Sequence, residues 1–170
     1  AGMAAEGMPF TGFLYAGLMI DATGAPRVIE FNVRFGDPET QPILLRLQSD
    51  LVDLLEVALD GRLHETTAAW DPRPAIGVVL AAHGYPAKVR NGDAIAGLEA
   101  AHAAGTKIFH AGTRLDGATA VTAGGRVLTV CALGDDIVDA RAKAYAEIDQ
   151  IRFDGMQYRR DIAHRAIGRA

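Results

Sequence analysis

The sequence predicts an α+β protein of mostly antiparallel strands with helices, divided into a first domain over residues 1–72 and a second over 73–170. Three observations predict it. Two strand-like segments, 12–20 and 27–35, flank the turn-forming run Asp21-Ala22-Thr23-Gly24-Ala25-Pro26. Helical periodicity follows in Ile43, Leu44 and Leu47 and again over 50–59. The stretch 61–74 then mixes Gly, Thr, Pro and charges without sustained period, after which short strand patterns resume and one amphipathic helix follows. A chain of 170 residues is long enough to bury a core in one large or two small domains.

The first pair of segments reads as a β-hairpin. Alternation along 27–35 puts Ile29, Phe31, Val33 and Phe35 on one side, expected to be core, and Val28, Glu30, Asn32 and Arg34 on the other. Ser49 is the expected N-cap of a helix over 50–59, with Asp50 and Asp53 in its acidic first turn and Gly61 beyond its end. In the second domain, 75–82 is a continuous apolar run that fits a buried strand and ends in His83-Gly84-Tyr85-Pro86. Residues 93–104 fit either an amphipathic helix with Ile95 and Leu98 inward or an irregular segment beside a strand. Short strands are expected at 107–109 and 120–122, and Gly124-Gly125 reads as a hairpin turn into a strand over 126–133. Asp135 is the expected cap of a helix whose stripe is Val138, Ala142, Tyr145, Ile148 and Ile151.

Composition excludes several classes of function. Hydrophobic residues make 49% and charged residues 22% of the chain, a globular rather than a disordered balance. The net charge of −4 speaks against broad attraction to nucleic acid or to anionic membranes, so bound phosphate has to be held locally. The apolar runs 13–20 and 76–82 stop well short of the roughly 20 residues that cross a bilayer. A lone cysteine, Cys131, excludes an internal disulfide framework and a multi-thiolate metal site. A cytoplasmic setting is expected. The chain opens Ala1-Gly2-Met3, without an initiator methionine or the pattern of a signal peptide, which gives the expectation of a fragment of a longer enzyme.

The chemistry concentrates after the first turn. Glu30 and Asn32 offer one carboxylate and one amide carbonyl, a hard oxygen pair that suits Mg2+, which keeps water and phosphate oxygens in the rest of its shell. Arg34 is placed to neutralise charge on a transferring phosphoryl group. The plain alternative is the solvated face of a half-exposed strand. In the loop that follows, Gly36 allows close backbone approach and Pro38 stiffens the turn, while Asp37 and Glu39 suit a substrate ammonium or a metal-bound water. Asp-Pro-Glu is also ordinary helix-start chemistry, and the two readings are compatible.

The run Glu30-Phe31-Asn32-Val33-Arg34-Phe35-Gly36-Asp37-Pro38-Glu39-Thr40-Gln41 resembles the signature of the phosphoribosylamine-glycine ligase family, also called glycinamide ribonucleotide synthetases, of the ATP-grasp superfamily. The likeness continues in Leu14-Tyr15-Ala16-Gly17-Leu18-Met19, Ser49-Asp50-Leu51, Gly84-Tyr85-Pro86, His110-Ala111-Gly112-Thr113, Gly124-Gly125-Arg126-Val127-Leu128 and Phe153-Asp154-Gly155-Met156, which covers essentially the whole chain. It implies the back half of an ATP-grasp domain followed by the family's small C-terminal domain. It also implies a nucleotide-binding ligase of purine biosynthesis, in which ATP converts glycine to glycyl phosphate and 5-phosphoribosylamine attacks it, giving glycinamide ribonucleotide, ADP and phosphate.

Carried over by position, the resemblance makes Glu30 and Asn32 the magnesium or manganese ligands. Glu30, Asn32 and Arg34 then bind the nucleotide and its metal, Arg34 and Asp37 are catalytic, and Asp37 and Glu39 order substrates. Many ATP-grasp ligases add an acidic ligand from the neighbouring strand, yet 12–20 contains no Asp or Glu. The front half of the ATP clamp, with its lysines, has no counterpart here, so the expected partner is the missing N-terminal half of the same enzyme. Two other readings stand beside this one: a noncatalytic interaction module that completes a partner chain, and a different ATP-grasp carboxylate-amine ligase.

Other features carry less. The histidines at 64, 83, 102, 110 and 164 form no ligand-like pair, and only His110, within a family motif, is a candidate for shaping the nucleotide or substrate side of a cleft. Gly124-Gly125 lacks the spacing and the Lys-Ser or Lys-Thr of a P-loop. Cys131 reads as a small buried hydrophobe, and Arg159-Arg160 as a solvated terminal face or a contact for a ribose phosphate.

Overall fold

Asp21 explains why the first hairpin closes where it does. Its carboxylate accepts from the Thr23 amide at 2.9 Å, the Thr23 hydroxyl at 2.6 Å and the Ala25 amide at 3.1 Å, and Gly24 takes the left-handed backbone of the turn at φ +85°. These donors, the Thr23 hydroxyl first, hold its carboxyl below the usual range. In the computed structural model, which describes residues 2–99 and 103–167, this turn joins β1 (Tyr15–Ile20) to β2 (Pro26–Asn32). A short helix α1 (Gly2–Ala5) precedes them.

Both strands are shorter than the sequence suggests. The pairing is antiparallel from Tyr15↔Asn32 to Ile20↔Pro26, with a register shift at Gly17/Leu18 that leaves Ile29 as a bulge. Strict alternation on β2 therefore holds from Glu30 to Asn32, and Val33 and Arg34 already lie in a bend. The expected core face is not buried: Ile29, Phe31 and Val33 are 64%, 61% and 70% exposed. Two strands can pair their edges but cannot cover a face, which takes a second layer.

Contacts divide the chain into two units. One holds the chain up to Thr40 together with Leu47–Trp70, and the other holds Gln41–Arg46 and the chain from Asp71 onward. In the first unit, Asp50 rather than Ser49 caps α3 (Leu51–Leu59), accepting from the Val52 amide at 2.7 Å. Ser49 has another task, accepting from the Ala69 amide at 2.7 Å. A 3-10 turn, Leu63–Glu65, follows Gly61. In chain order α2 (Thr40–Arg46) follows the strands, in the place given by the Ile43 and Leu44 period, and all of it after Thr40 belongs to the second unit.

The main part of the second unit, from Asp71 onward, begins on an ion pair. Asp71, 8% exposed, accepts from the Arg73 amide at 2.9 Å and from the Arg73 guanidinium at 2.7 and 3.0 Å, while the Arg46 guanidinium donates to its carbonyl. From there run β3 (Ala75–Ala81), β4 (Thr106–His110), β5 (Thr113–Asp116), β6 (Thr119–Thr122), β7 (Arg126–Leu133) and α4 (Ile137–Ile148). β7 lies between β3 and β4 and is antiparallel to both. Val78, Leu80, Val127, Leu128, Val130 and Ala132 fill the core with Ala140, Ala144 and Ile148 of α4.

Two expectations change here, and at residues 93–99 the irregular alternative holds over the helix. Asp136, not Asp135, caps α4, accepting from the Asp139 amide at 2.8 Å. Val138 is 53% exposed, and the inward stripe runs through Ala140, Ala144, Glu147 and Ile148, of which the two alanines are small enough to let the helix approach the sheet closely. Residues 93–99 form no helix. Ala94 and Ala96 make isolated bridges to Val121 and Arg152, and a Cβ at Gly97 would sit 1.9 Å from the Gln150 carbonyl. Ile95 is nonetheless inward at 7% exposure, and residues 100–102 of the expected helix lie outside the described residues.

Gly124-Gly125 does not turn β6 into a hairpin with β7, because β6 pairs with β5 across the unanticipated turn at Asp116-Gly117. The glycines serve close approach instead. A Cβ on Gly112 would meet Arg126 O and Gly124 Cα at 2.7 Å, and one on Gly125 would meet the Tyr85 ring at 2.5 Å.

Candidate functional site

Residues directly opposite on antiparallel strands share a face, as do i and i+2 along one strand. The pairs Tyr15↔Asn32 and Gly17↔Glu30 therefore put Tyr15, Glu30 and Asn32 on one face of the hairpin, with Gly17 beneath. Glu30 leans over the place where Gly17 has no side chain: a Cβ there would lie 3.0 Å from Glu30 Cγ. The two oxygen-bearing side chains expected from the sequence are thus neighbours, and the unanticipated member of the face is Tyr15.

The turn after β2 adds a second carboxylate. Gly36 is buried, and its carbonyl accepts from both the amide and the hydroxyl of Thr40, which closes the turn and starts α2. Glu39 folds back across Gly36, and a Cβ at Gly36 would lie 2.5 Å from Glu39 Oε2 and 3.1 Å from the Tyr15 ring. The Tyr15 hydroxyl donates to Glu39 Oε1 at 3.4 Å. The negative Glu39 beside it pushes the Tyr15 phenol above its ordinary range; partial burial and Glu30 act in the same sense, and Arg34 opposes them.

Arg34 is not on the strand. It projects from the bend, exposed, and its Nη1 donates to the Phe35 carbonyl at 2.9 Å. Its influence on the Tyr15 phenol keeps it electrostatically within the same cluster. Asp37 is exposed in the adjoining turn, where the Asp37–Pro38 peptide is cis. The structure thus brings Glu30, Asn32 and Glu39 together around Tyr15, with Arg34 at the rim and Asp37 further along the same turn. Tyr15 was visible only as a member of a family motif, since cross-strand pairing is what gives it a place.

Among the described residues no group of three or more His, Cys, Asp or Glu side chains stands ready to hold a metal. Glu30 and Asn32 nevertheless fit a hard divalent cation, because both donors are oxygens on one strand face. A Mg2+ ion held by them would need water and phosphate oxygens to complete its shell. The remaining candidates have structural partners. His110 Nδ1 is 3.0 Å from the Thr113 hydroxyl, Arg159 pairs with Asp161, and Arg160 lies 5.1 Å over the Tyr158 ring. Burial lifts the Cys131 thiol to about 12, as a small core hydrophobe should show. His102 lies outside the described residues.

Comparison with known proteins gives the family of the chain. Residues 75–165 match the family model described as "Phosphoribosylglycinamide synthetase, C domain", and residues 1–40 match "Phosphoribosylglycinamide synthetase, ATP-grasp (A) domain". The chain is 61% identical over 170 residues to a phosphoribosylamine--glycine ligase of Neisseria meningitidis, covering 99% of this chain and 40% of that protein. It is 62% identical over 169 residues to the ligase of the same name from Xanthomonas axonopodis, with 99% and 39% covered. The crystal structure of phosphoribosylamine--glycine ligase from Thermotoga maritima superposes with a TM-score of 0.78 at 37% identity, over 94% of this chain and 39% of that one. The chain spans about 40% of the length of these curated relatives.

Proposed function

This chain belongs to the phosphoribosylamine-glycine ligase family, whose family models carry the name phosphoribosylglycinamide synthetase, and from that premise we propose that it supplies one side of the active site of an ATP-dependent ligase. In this reading the whole enzyme phosphorylates the carboxylate of glycine with ATP. The amine of 5-phosphoribosylamine then attacks the acyl carbon, phosphate leaves, and glycinamide ribonucleotide, ADP and phosphate are the products, as in cytoplasmic purine biosynthesis. Residues 1–72 are the back part of the ATP-grasp domain and 73–170 the C-terminal domain.

The observation that carries the proposal is the shared face of Glu30 and Asn32 with the Arg34 bend at its end. Glu30 and Asn32 hold the Mg2+ or Mn2+ that accompanies ATP. A cation held by these two residues would supply charge neutralisation at the phosphates. Arg34, a fixed cation with a planar fork of donors, orients the transferring phosphate or the acyl phosphate. Asp37 and Glu39, which repel phosphate, face the amino groups of the substrates.

Joining this chain to the portion of the family enzyme that it does not span tests the proposal. Glycine-dependent ADP formation is expected in the joined protein and is expected to vanish with Glu30→Gln. Full turnover by that variant overturns the site assignment. If the joined protein forms no ADP with glycine but does so with another carboxylate, the glycine assignment fails and a different carboxylate-amine ligase takes its place.

A further inference from the structure

The side chain that the sequence pattern leaves without a task is Tyr15, and the structure gives it two contacts at once. Its backbone is fixed on β1 opposite Asn32, and its ring packs against Gly36 while its hydroxyl reaches Glu39. We propose that Tyr15 is a positioning residue for Glu39, holding that carboxylate across Gly36 to receive the ammonium group of the amino-acid substrate. The inference rests on the ligase reading above and deepens it by naming what fixes the substrate-facing carboxylate.

A glutamate on a surface turn has three side-chain torsions to settle, and ordering such a side chain costs up to roughly 2 kcal/mol. Glu39 cannot obtain that order from its own turn, since the turn's internal bonds run through Gly36 and Thr40. Tyr15 supplies it from a strand. A phenol has two torsions and a flat ring, so it is a low-entropy prop. The absent Cβ of Gly36 is what lets ring and carboxylate meet over the backbone, because a methyl there would lie 2.5 Å from Glu39 Oε2. A phenol is protonated throughout the neutral region and so serves as a donor there.

The ligand chemistry follows from what remains. A carboxylate is an acceptor with roughly four lone-pair directions, and one phenol donor uses one of them. An ammonium brings donors and positive charge, which fits; phosphate and carboxylate groups bring neither. Glycine carries its ammonium at one end and the carboxylate to be phosphorylated at the other. Holding the ammonium at Glu39 therefore directs the carboxylate away from it, and Tyr15, opposite Asn32, ties Glu39 to the strand end that bears Glu30 and Asn32.

Two measurements test this. In the joined, active protein, Tyr15→Phe keeps the ring and removes the hydroxyl; it is expected to raise the KM for glycine about 5-fold, the loss of one hydrogen bond, with the KM for MgATP unchanged. Glu39→Gln is expected to raise it further, and the double variant to match Glu39→Gln alone, because Tyr15 acts through Glu39. Effects that multiply in the double variant, or an unchanged glycine KM in Tyr15→Phe, overturn the inference and leave the ligase reading intact if Glu30→Gln is inactive. Full activity in Glu30→Gln overturns only the metal-site assignment, whereas a joined protein that forms no ADP with glycine overturns the ligase reading and the inference with it. The second measurement needs no turnover: NMR of carbon-labelled tyrosine in the 170-residue chain at neutral pH. The Tyr15 ring resonance is expected to shift in Glu39→Gln, because its hydroxyl reaches Glu39 and its ring packs over Gly36. A resonance indifferent to that substitution overturns the pairing.

Discussion

The ring of Phe13 lies 3.8 Å, centroid to centroid, from the ring of Phe35, with the planes inclined by 32°. Phe13 precedes β1 and Phe35 sits between Arg34 and Gly36, so the contact ties the start of the hairpin to the turn that follows it. Aromatic pairs add roughly 0.5–1.5 kcal/mol beyond the area they bury. Phe13→Ala should destabilise the hairpin unit by about 1–2 kcal/mol in denaturant unfolding, and Phe13→Leu by less. Equal effects of the two substitutions would count against a ring-specific contact.

Gly36→Ala should separate stability from activity. The added methyl meets the far end of Glu39 first, at 2.5 Å, and a flexible side chain can swing away. A stability change of no more than about 1 kcal/mol is expected, with a loss of glycine affinity in the joined enzyme comparable to that of Glu39→Gln. Thermal unfolding and the glycine KM, measured on the same preparation, check both halves.

Gly112→Ala should behave in the opposite way. Here the methyl meets backbone on both sides, Arg126 O and Gly124 Cα at 2.7 Å, and neither can move without disturbing the start of β7. A cost of about 1–3 kcal/mol is expected from such overpacking. The midpoint of denaturant unfolding of the second unit reports it.

Asp71 should make the protein acid-sensitive in a defined window. The Arg73 guanidinium, then the Arg73 amide, bring its carboxyl from 3.8 to about 2 in the folded chain. A depressed folded-state value means that the stabilisation is complete above about pH 4, where the unfolded carboxyl is also ionised, and is lost as pH falls toward 2. Asp71→Asn should flatten the pH dependence of unfolding between pH 4 and 2 and lower stability at pH 7.

Cys131 should be silent to thiol reagents in the native protein. Burial raises its thiol to about 12, and its side chain lies in β7 with no exposed surface. Alkylation at pH 8 is expected only after denaturation. Rapid labelling of the folded chain would contradict the position of the sheet.

The elements legible in the sequence were those with strong local signals. The turn at Asp21–Gly24, the helix after Asp50, the apolar runs of β3 and β7 and the span of α4, though not its inward stripe, all appear close to where their residues put them. Misreadings arose where partners distant in sequence decide. Alternation on 27–35 says which residues share a face but not whether anything covers it, and Ile29 breaks the alternation because Gly17 and Leu18 pair across a bulge. Residues 93–99 read equally as helix until Val121 and Arg152 claim their backbone. At the site, Glu30 and Asn32 were legible because two residues along a strand is a local spacing. Tyr15 was not, since it reaches Glu39 only after the hairpin and the turn at Gly36 have both formed.

β7 is paired along both edges and buried along nearly its whole length, from Val127 to Leu133. No amide of that strand can exchange with solvent by fraying of an edge; either β3 or β4 must detach, or the sheet must open. The most slowly exchanging hydrogens of the protein should therefore lie on β7, and their exchange rate measures the global opening of the second unit. The amides of β1 and β2, on a hairpin with both faces open to water, should be replaced long before.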